Sequence, residues 1–223
     1  MNAPEVLADV LSRRYSCRAF LPDPVPDATV DEILGLAQRT ASWCNSQAWH
    51  VHLVGPGRVG EFGDALTEWV TTHGQGPDFE APSSYDGVYG ERRRASGYGL
   101  YGALGIERDD HAARATQMLR NFRFFGAPHV AVVTSPVGLG PYGAVDCGGY
   151  VSTFLTAATA LGVATCAQAA PALYADGVRE FLDLPADRLV VCAIAFGRAD
   201  EGHPANAFRT DRAPLSETVT RVD

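Results

Sequence analysis

The sequence contains no lysine, because all 18 of its basic residues are arginine. This absence excludes chemistry that needs an ε-amine: a pyridoxal Schiff base, a lysine aldolase, or a P-loop ending in Gly-Lys-Ser/Thr. Positive charge is also scarce overall, since 26 acidic residues leave a net charge of −8. An acidic protein binds a phosphate backbone poorly, so nucleic acid is not an expected partner.

The sequence has only five cysteines, and their odd number and wide spacing do not suit disulfide bonds or a structural metal site. No two of the five cysteines lie three residues apart, which argues against a disulfide framework and a zinc ribbon. His50 and His52 share one face of a predicted strand, but no third ligand has suitable spacing, so no metal is expected. The N-terminus lacks a signal-peptide pattern and no apolar run reaches membrane length. These features predict a cytoplasmic protein without a membrane partner.

The hydrophobic pattern predicts one α/β domain over residues 1–223, with five or six helices and four strands. Continuous apolar runs at 130–133 and 189–196 are typical of strands covered on both faces. Residues 74–88 are rich in Gly, Pro and Ser and predict a loop. The predicted helices begin at Asn2 and at a cap on Asp27, and cover 59–72, 89–104, 109–125 and 145–161. The predicted strands cover 50–54, 130–134, 163–168 and 189–196.

One glycine motif resembles a dinucleotide site but fails on its details. Residues 55–60 match G-x-G-x-x-G between a predicted strand and a predicted helix. Pro56 removes a backbone N–H from the loop that should bind the pyrophosphate, and no acidic strand end follows about 20 residues later. We therefore interpret this segment as a plain strand–turn–helix junction.

Arginine recurs in two distant stretches that suit an anion. Arg14, Ser16 and Arg18 alternate after the first helix, so an extended backbone would place all three side chains on one face. Two guanidinium groups and a hydroxyl form a good phosphate clamp. The alternative is that Arg14 only offsets the negative end of the helix. Arg209 and Arg212 lie in an irregular tail, where the alternative is exposure without a role.

Two further stretches suit a flat ligand. Residues 42–49 form a polar, aromatic turn before a strand, with amide and hydroxyl groups that match the polar edge of a planar ring. Residues 162–171 have small side chains that would let the backbone approach such a ring closely. Each stretch alone is also consistent with an ordinary loop.

Taken together, the four stretches resemble the nitroreductase family. Residues 14–20, Arg-Tyr-Ser-Cys-Arg-Ala-Phe, resemble its Arg-x-Ser-x-Arg-x-Phe opening. Residues 41–49 are similar to its Pro-Ser-x-x-Asn-x-Gln-Pro-Trp turn, and residues 162–168 to its Gly-Leu-Gly-Thr-Cys strand. Phe196-Gly197, Asn206 and residues 209–215 resemble its closing segment. The resemblance runs in order over residues 11–217.

The resemblance implies an α+β fold of three layers, α/β/α, with a mixed, mainly antiparallel sheet and two intertwined chains. It also implies FMN at the dimer interface, a substrate lid within residues 74–104 and a tail at 198–223 that embraces the partner. Arg14, Ser16, Arg18 and Arg212 would hold the phosphate and ribityl end. Ser42 and Trp43 would flank the isoalloxazine. The full set of implied cofactor contacts is Arg14, Tyr15, Ser16, Arg18, Ser42, Trp43, Asn45, Ala167, Gln168, Ala169, Arg209 and Arg212.

The implied activity passes reducing equivalents from NADH or NADPH through FMN to a small acceptor such as a nitroaromatic or a quinone. No side-chain acid or base is then obligatory, so no catalytic residue is assigned. The alternatives are other flavin chemistry on this scaffold, such as dehalogenation or flavin reduction, and flavin binding without turnover. Ala41 and Ala48 stand where the family usually has proline, which loosens the preset backbone of this turn.

Overall fold

A computed structural model describes residues 2–222 and centres on a four-stranded antiparallel sheet. The strand order is β1-β2-β4-β3, so β2 and β4 are central and β1 and β3 form the edges. The register pairs Val132 of β2 with Ala193 of β4, and Cys166 of β3 with Ala195 of β4. The strands are β1 (His50–Val54), β2 (His129–Pro136), β3 (Ala164–Gln168) and β4 (Arg188–Gly197). The prediction of a mainly antiparallel sheet is confirmed, and all three strand pairings are antiparallel.

Helices cover both faces of this sheet and give the predicted three layers. Alternate residues of β2 point to opposite faces. Val130 and Val132 pack with Phe62 and other side chains of one core, whereas Ala131 and Val133 pack with a second core on the other face. The helices are α1 (Ala3–Arg13), α2 (Asp27–Ala37), α3 (Pro56–Thr72), α4 (Gly87–Ala103), α5 (His111–Leu119), α6 (Gly140–Ala160) and α7 (Ala175–Leu182).

The start of α1 follows its sequence signals. Asn2 Oδ1 accepts the Glu5 backbone N–H at 3.1 Å, and the Glu5 carboxylate accepts the Asn2 N–H at 3.0 Å, forming a capping box. The predicted cap on Asp27 is wrong. Asp27 is the first residue of α2, and Pro26 occupies the cap position, with its carbonyl accepting the first helical N–H groups. The fixed φ of proline already sets the entry into this helix.

The predicted helix over 109–125 is wrong in its second half, because α5 ends at Leu119. Phe124 and Phe125 have positive φ values of 51° and 55°, which no α-helix allows. Both rings are buried, Phe124 completely, so the chain turns to place them in the core. Helix α7 was not predicted. It is only eight residues long, too short for a clear periodic signal.

The glycine-rich junction after β1 and the loop after α3 follow the predictions from the sequence. Gly55 caps α3 directly after β1, which confirms the strand–turn–helix interpretation. Residues 74–86 are irregular apart from an isolated bridge between Gly76 and Tyr174. Within residues 2–222, no helix has the length and apolar character needed to cross a bilayer.

Candidate functional site

The segment that follows α1 lies along the edge strand β3. Ser16 forms a parallel bridge with Thr165, and the Cys17 backbone N–H donates to the Thr165 carbonyl at 2.9 Å. This backbone pairing keeps residues 14–18 extended at the sheet edge. It also brings the predicted Arg-x-Ser-x-Arg motif next to the predicted strand of small residues, although the two are far apart in the sequence.

Asn206 joins the C-terminal tail to this segment. Its Oδ1 accepts the Arg18 backbone N–H at 2.8 Å, and its Nδ2 donates to the carbonyls of Ala19 and Asp200, both at 2.8 Å. The side chain is 5% exposed, so these bonds are shielded from water. The residues after Asn206 therefore start beside Arg18.

Four arginines meet as a result, and they line a cavity of about 510 Å³. Tyr15 and Ser16 contribute to the same wall, and the Arg209 guanidinium lies 3.6 Å from the centre of the Tyr15 ring. We call Arg14, Arg18, Arg209 and Arg212 the arginine cluster. Six of the twelve residues implied for the cofactor site are thus brought together.

The arginine cluster carries positive charge that no carboxylate offsets. Within residues 2–222, no acidic side chain comes within 4.0 Å of any of its four guanidinium groups. Burial, and then the neighbouring charge of Arg212, lower the pKa of Arg14. Positive groups that are crowded together and partly desolvated form a site for an anion.

A second cavity of about 810 Å³ opens from this one, between α4 and the tail. The two cavities share five lining residues, which are Ser96, Phe208, Arg209, Thr210 and Arg212. The Arg92 guanidinium donates to Glu217 at 2.8 Å across its rim, so α4 and the tail are linked. Arg92, Arg93 and Arg94 are otherwise exposed on α4.

Strand β3 presents its small residues at the sheet edge. Ala167 and Ala169 are exposed, whereas Gln168 is 4% exposed and its Nε2 donates to the Asn121 carbonyl at 2.8 Å. The Gln168 side chain therefore points into the protein, and only its backbone is available to a ligand. Burial raises the pKa of the Cys166 thiol to about 11, so this cysteine stays protonated and inert.

The turn at residues 42–47 lies elsewhere in the chain, against the start of α6. Trp43 is 55% exposed and makes an edge contact with Tyr142, with ring centroids 4.1 Å apart. Both rings line a cavity of about 320 Å³ that also includes Asp146 and shares no lining residue with the arginine cavity. Ser42, Trp43 and Asn45 are therefore not brought to the arginine cluster within one chain.

Sequence reasoning missed Asn206 as a positioning residue and missed Asp146 altogether. The Asp146 carboxylate accepts the Trp43 backbone N–H and the Ser46 hydroxyl, each at 3.2 Å. A signal was present, because Asp146 is the single charged residue in the 21 residues of α6. The rings of His50 and His52 lie tilted to each other with centroids 4.6 Å apart, and within residues 2–222 no cluster of three metal-ligating side chains forms around them.

Comparison with known families and proteins gives one consistent result. The sequence model described as "Nitroreductase family" matches residues 11–198. The chain is 38% identical over 214 residues to nitroreductase NfnB of Mycolicibacterium smegmatis, covering 94% of this chain and 90% of that protein. It is 34% identical over 225 residues to a 4-nitrobenzoate reductase of Nocardioides sp., and this match covers 99% of this chain and 91% of that protein.

Solved structures agree with the sequence matches. The crystal structure of the FMN-dependent nitroreductase NfnB from Mycobacterium smegmatis in complex with NADPH superposes with a TM-score of 0.95. The sequence identity to it is 35%, and the match covers 100% of both chains.

Proposed function

The chain belongs to the nitroreductase family, and from that premise we propose that it is an FMN-dependent oxidoreductase. It passes reducing equivalents from NADPH or NADH to a small aromatic acceptor that carries a nitro group. The observation that carries this proposal is the arginine cluster, whose four guanidinium groups line one cavity and have no acidic partner among the described residues 2–222.

The residues present fit FMN. Its phosphate needs several charge-assisted donors, and the arginine cluster offers guanidinium groups in a setting where they lack acidic partners. The Ser16 hydroxyl in the same wall suits the ribityl chain. We propose that Arg14, Ser16, Arg18 and Arg212 hold this polar end, with Tyr15 and Arg209 beside them.

FMN supplies the hydride chemistry when bound. The protein therefore has to bind FMN, orient its ring and shield the ring from water. The backbone of residues 167–169 lies on an exposed sheet edge without bulky side chains, which suits close approach of a flat ring. An N–H donor or an arginine near flavin N1–O2 would stabilise the reduced, anionic ring. No side-chain acid or base is assigned a catalytic role.

The turn at residues 42–47 would complete the ring site from a second subunit. Within one chain, this turn and the arginine cluster line separate cavities. A homodimer that apposes the turn of one chain to the cluster of its partner would unite Ser42, Trp43 and Asn45 with the rest of the site. We propose this arrangement, with residues 74–104 as the substrate lid and residues 198–223 as the tail that reaches the partner.

We also propose a cytoplasmic location. All five cysteines are free thiols in the structure, which suits a reducing compartment. The proposal is tested by fractionating cells and assaying flavin-dependent NADPH oxidation; activity confined to an extracytoplasmic fraction would exclude it.

The first test replaces Arg14 and Arg212 with glutamine together. Each charge-assisted bond to phosphate is worth about 1.5–3 kcal/mol, so the Kd for FMN should rise at least about 100-fold. The measurement is quenching of FMN fluorescence on titration with protein. Arg13→Gln is the matched control, because Arg13 is adjacent in sequence but pairs with Asp9 on the exposed face of α1. Full flavin retention by the double variant would contradict the phosphate assignment.

The activity itself is tested by steady-state oxidation of NADPH and NADH in the presence of 4-nitrobenzoate, nitrobenzene or a quinone. Repeated turnover with the nitroaromatics supports the proposal. Oxidation that stops after one equivalent of acceptor per flavin would instead indicate a flavin-binding protein without turnover.

A further inference from the structure

The turn at residues 42–47 has a backbone that its own sequence does not favour. Cys44, Asn45 and Gln47 have φ values of 51°, 55° and 48°, in the left-handed region that L-residues rarely adopt. Residues 41–48 contain neither glycine nor proline, and the turn's own bonds include the Gln47 backbone N–H to Ser42 Oγ at 2.9 Å. Contacts from outside the turn add to these local bonds.

Asp146 supplies the main outside contact. Its two carboxylate oxygens each accept the Trp43 backbone N–H at 3.2 Å, and one of them also accepts the Ser46 hydroxyl at 3.2 Å. These bonds lie on either side of Cys44 and Asn45, two of the three residues of the turn with a positive φ. The second half of the turn has a weaker link, from the exposed Gln38 amide to the Gln47 side chain at 3.0 Å.

The carboxylate depends on the turn as much as the turn depends on it. Asp146 is 9% exposed, and within residues 2–222 no basic side chain lies within 4.0 Å of it. A buried charge needs hydrogen-bond donors, and every donor that the structure gives Asp146 comes from Trp43 or Ser46. The one charged side chain of α6 is therefore stabilised by the turn.

Helix α6 holds Asp146 firmly in place. At Gly143, one turn before it, a Cβ atom would lie 2.3 Å from Ser135 Oγ of β2, so the helix sits directly on the sheet. Further along, the Thr40 hydroxyl donates to Thr153 at 2.9 Å and ties α6 to the end of α2. Because α6 is closely packed, the Asp146 carboxylate has a fixed position and can orient the loop that binds to it.

From these contacts we propose that Asp146 is a positioning residue, which fixes the turn at residues 42–47 in the shape that contacts the flavin ring. The inference rests on the proposed function, because it takes the turn to be the ring-facing part of the site. In this role Asp146 acts through the turn. It acts by setting where the Ser42, Trp43 and Asn45 groups stand.

The test compares Asp146→Ala and Asp146→Asn with the unmodified full chain. Two properties are measured: amide hydrogen exchange of residues 42–48 by mass spectrometry, with and without FMN, and the Kd for FMN. Without its acceptor, the turn in Asp146→Ala should exchange about tenfold faster, and the Kd should rise about tenfold. Asn keeps one acceptor oxygen, so Asp146→Asn should lie between Asp146→Ala and the unmodified chain.

Phe154→Leu is the matched control. Phe154 is fully buried on the same helix and packs against Phe196, away from the turn. This variant should lower the melting temperature without changing turn exchange or FMN affinity. If Asp146→Ala and Phe154→Leu gave the same pattern, Asp146 would have only a structural role and the proposal would be overturned.

Three further outcomes are decisive. If amide exchange at residues 42–48 were unchanged in Asp146→Ala, the inference that Asp146 fixes the turn would be overturned. If exchange were faster but the Kd for FMN were unchanged, the inference that Asp146 influences cofactor binding would be overturned. If the unmodified chain bound no FMN while Asp146→Ala still loosened the turn, the proposed function would fail and the hold on the turn would be supported.

Discussion

The side chain of Asn206 is shared between the segment after α1 and the C-terminal tail. Its three hydrogen bonds at 2.8 Å reach Arg18, Ala19 and Asp200. None of these bonds involves a charge, yet they decide where Arg209 and Arg212 begin. A neutral buried residue thus determines the charge density of the anion site.

His129 gives a prediction about acid stability at the residue scale. It is 3% exposed, and its Nε2 accepts the Val25 backbone N–H at 3.0 Å, so it must be neutral in the folded protein. Burial lowers its pKa, against a smaller opposing effect of Asp27. The unfolded chain therefore binds a proton more readily, and the contribution of His129 is complete above about pH 6.5 and is lost as pH falls.

We expect the free energy of unfolding, measured in urea, to fall between pH 7.5 and pH 5.5. His129→Gln should remove part of that fall, because its amide oxygen still accepts the Val25 N–H but does not titrate. His111→Gln, at the exposed start of α5, should leave the fall unchanged. An identical fall in His129→Gln and the unmodified chain would exclude this histidine as the cause.

At the scale of elements, the first part of the proposed lid segment is fixed to the sheet. Both oxygens of Asp78 accept from the Arg179 guanidinium, at 2.8 and 2.9 Å, and one also accepts the Val190 backbone N–H at 2.7 Å. The Gly76 N–H donates to the Leu173 carbonyl just before α7. Any movement of a lid would therefore start after Asp78 rather than at the end of α3.

The contact between α3 and α7 yields a stability prediction. A Cβ at Gly177 would lie 2.6 Å from Trp69 Cγ and 2.9 Å from two neighbouring ring atoms. The ring has no room to yield easily, because it stacks on His73 with centroids 4.0 Å apart. Gly177→Ala should therefore destabilise the protein by about 1–3 kcal/mol.

The matched control lies on α3 itself. Gly60 is exposed, and a Cβ there would meet nothing within 4 Å. Gly60→Ala should stabilise the protein by up to about 1 kcal/mol through helix propensity. Urea denaturation of both variants checks the pair. If Gly177→Ala left the free energy of unfolding unchanged, α3 and α7 could separate at little energetic cost.

At the scale of the whole molecule, α1 and α6 contact each other and expose apolar side chains. Leu7 and Leu11 of α1 are 54% and 52% exposed, and Tyr142 and Val145 of α6 are 58% and 67% exposed. Exposed apolar surface of this kind commonly marks a protein–protein interface. It suits the proposed homodimer, in which two subunits would share the flavin site.

We predict that Leu7→Glu combined with Val145→Glu converts the dimer to monomers, because it places charges in an apolar interface. Size-exclusion chromatography with light scattering measures the mass. The monomer should also lose FMN, since the turn and the arginine cluster would no longer meet. Met118→Glu, at a 47% exposed site on α5, is the control and should stay dimeric. A variant monomer that keeps full FMN affinity would refute a site shared between subunits.

The sequence by itself determined the α/β/α layering, the four strands and the family. Apolar runs of strand length and helical periodicity are local properties, so they could be read without the fold. The motif after α1 and the tail arginines were also identified as candidates for one anion, because side-chain chemistry does not depend on context. The early end of α5 could not be predicted, since burial of Phe124 and Phe125 overrides the local helical signal. The short α7 could not be predicted because its eight residues give no clear periodic signal.

Only the tertiary structure decided which candidates meet. It brought Arg14 and Arg212 to one cavity through Asn206, turned the Gln168 side chain inward, and placed the turn at 42–47 against Asp146 instead. Each of these outcomes depends on a hydrogen bond between residues far apart in sequence. Such bonds form because buried polar groups must find partners, and which partner is available is a property of the packed chain.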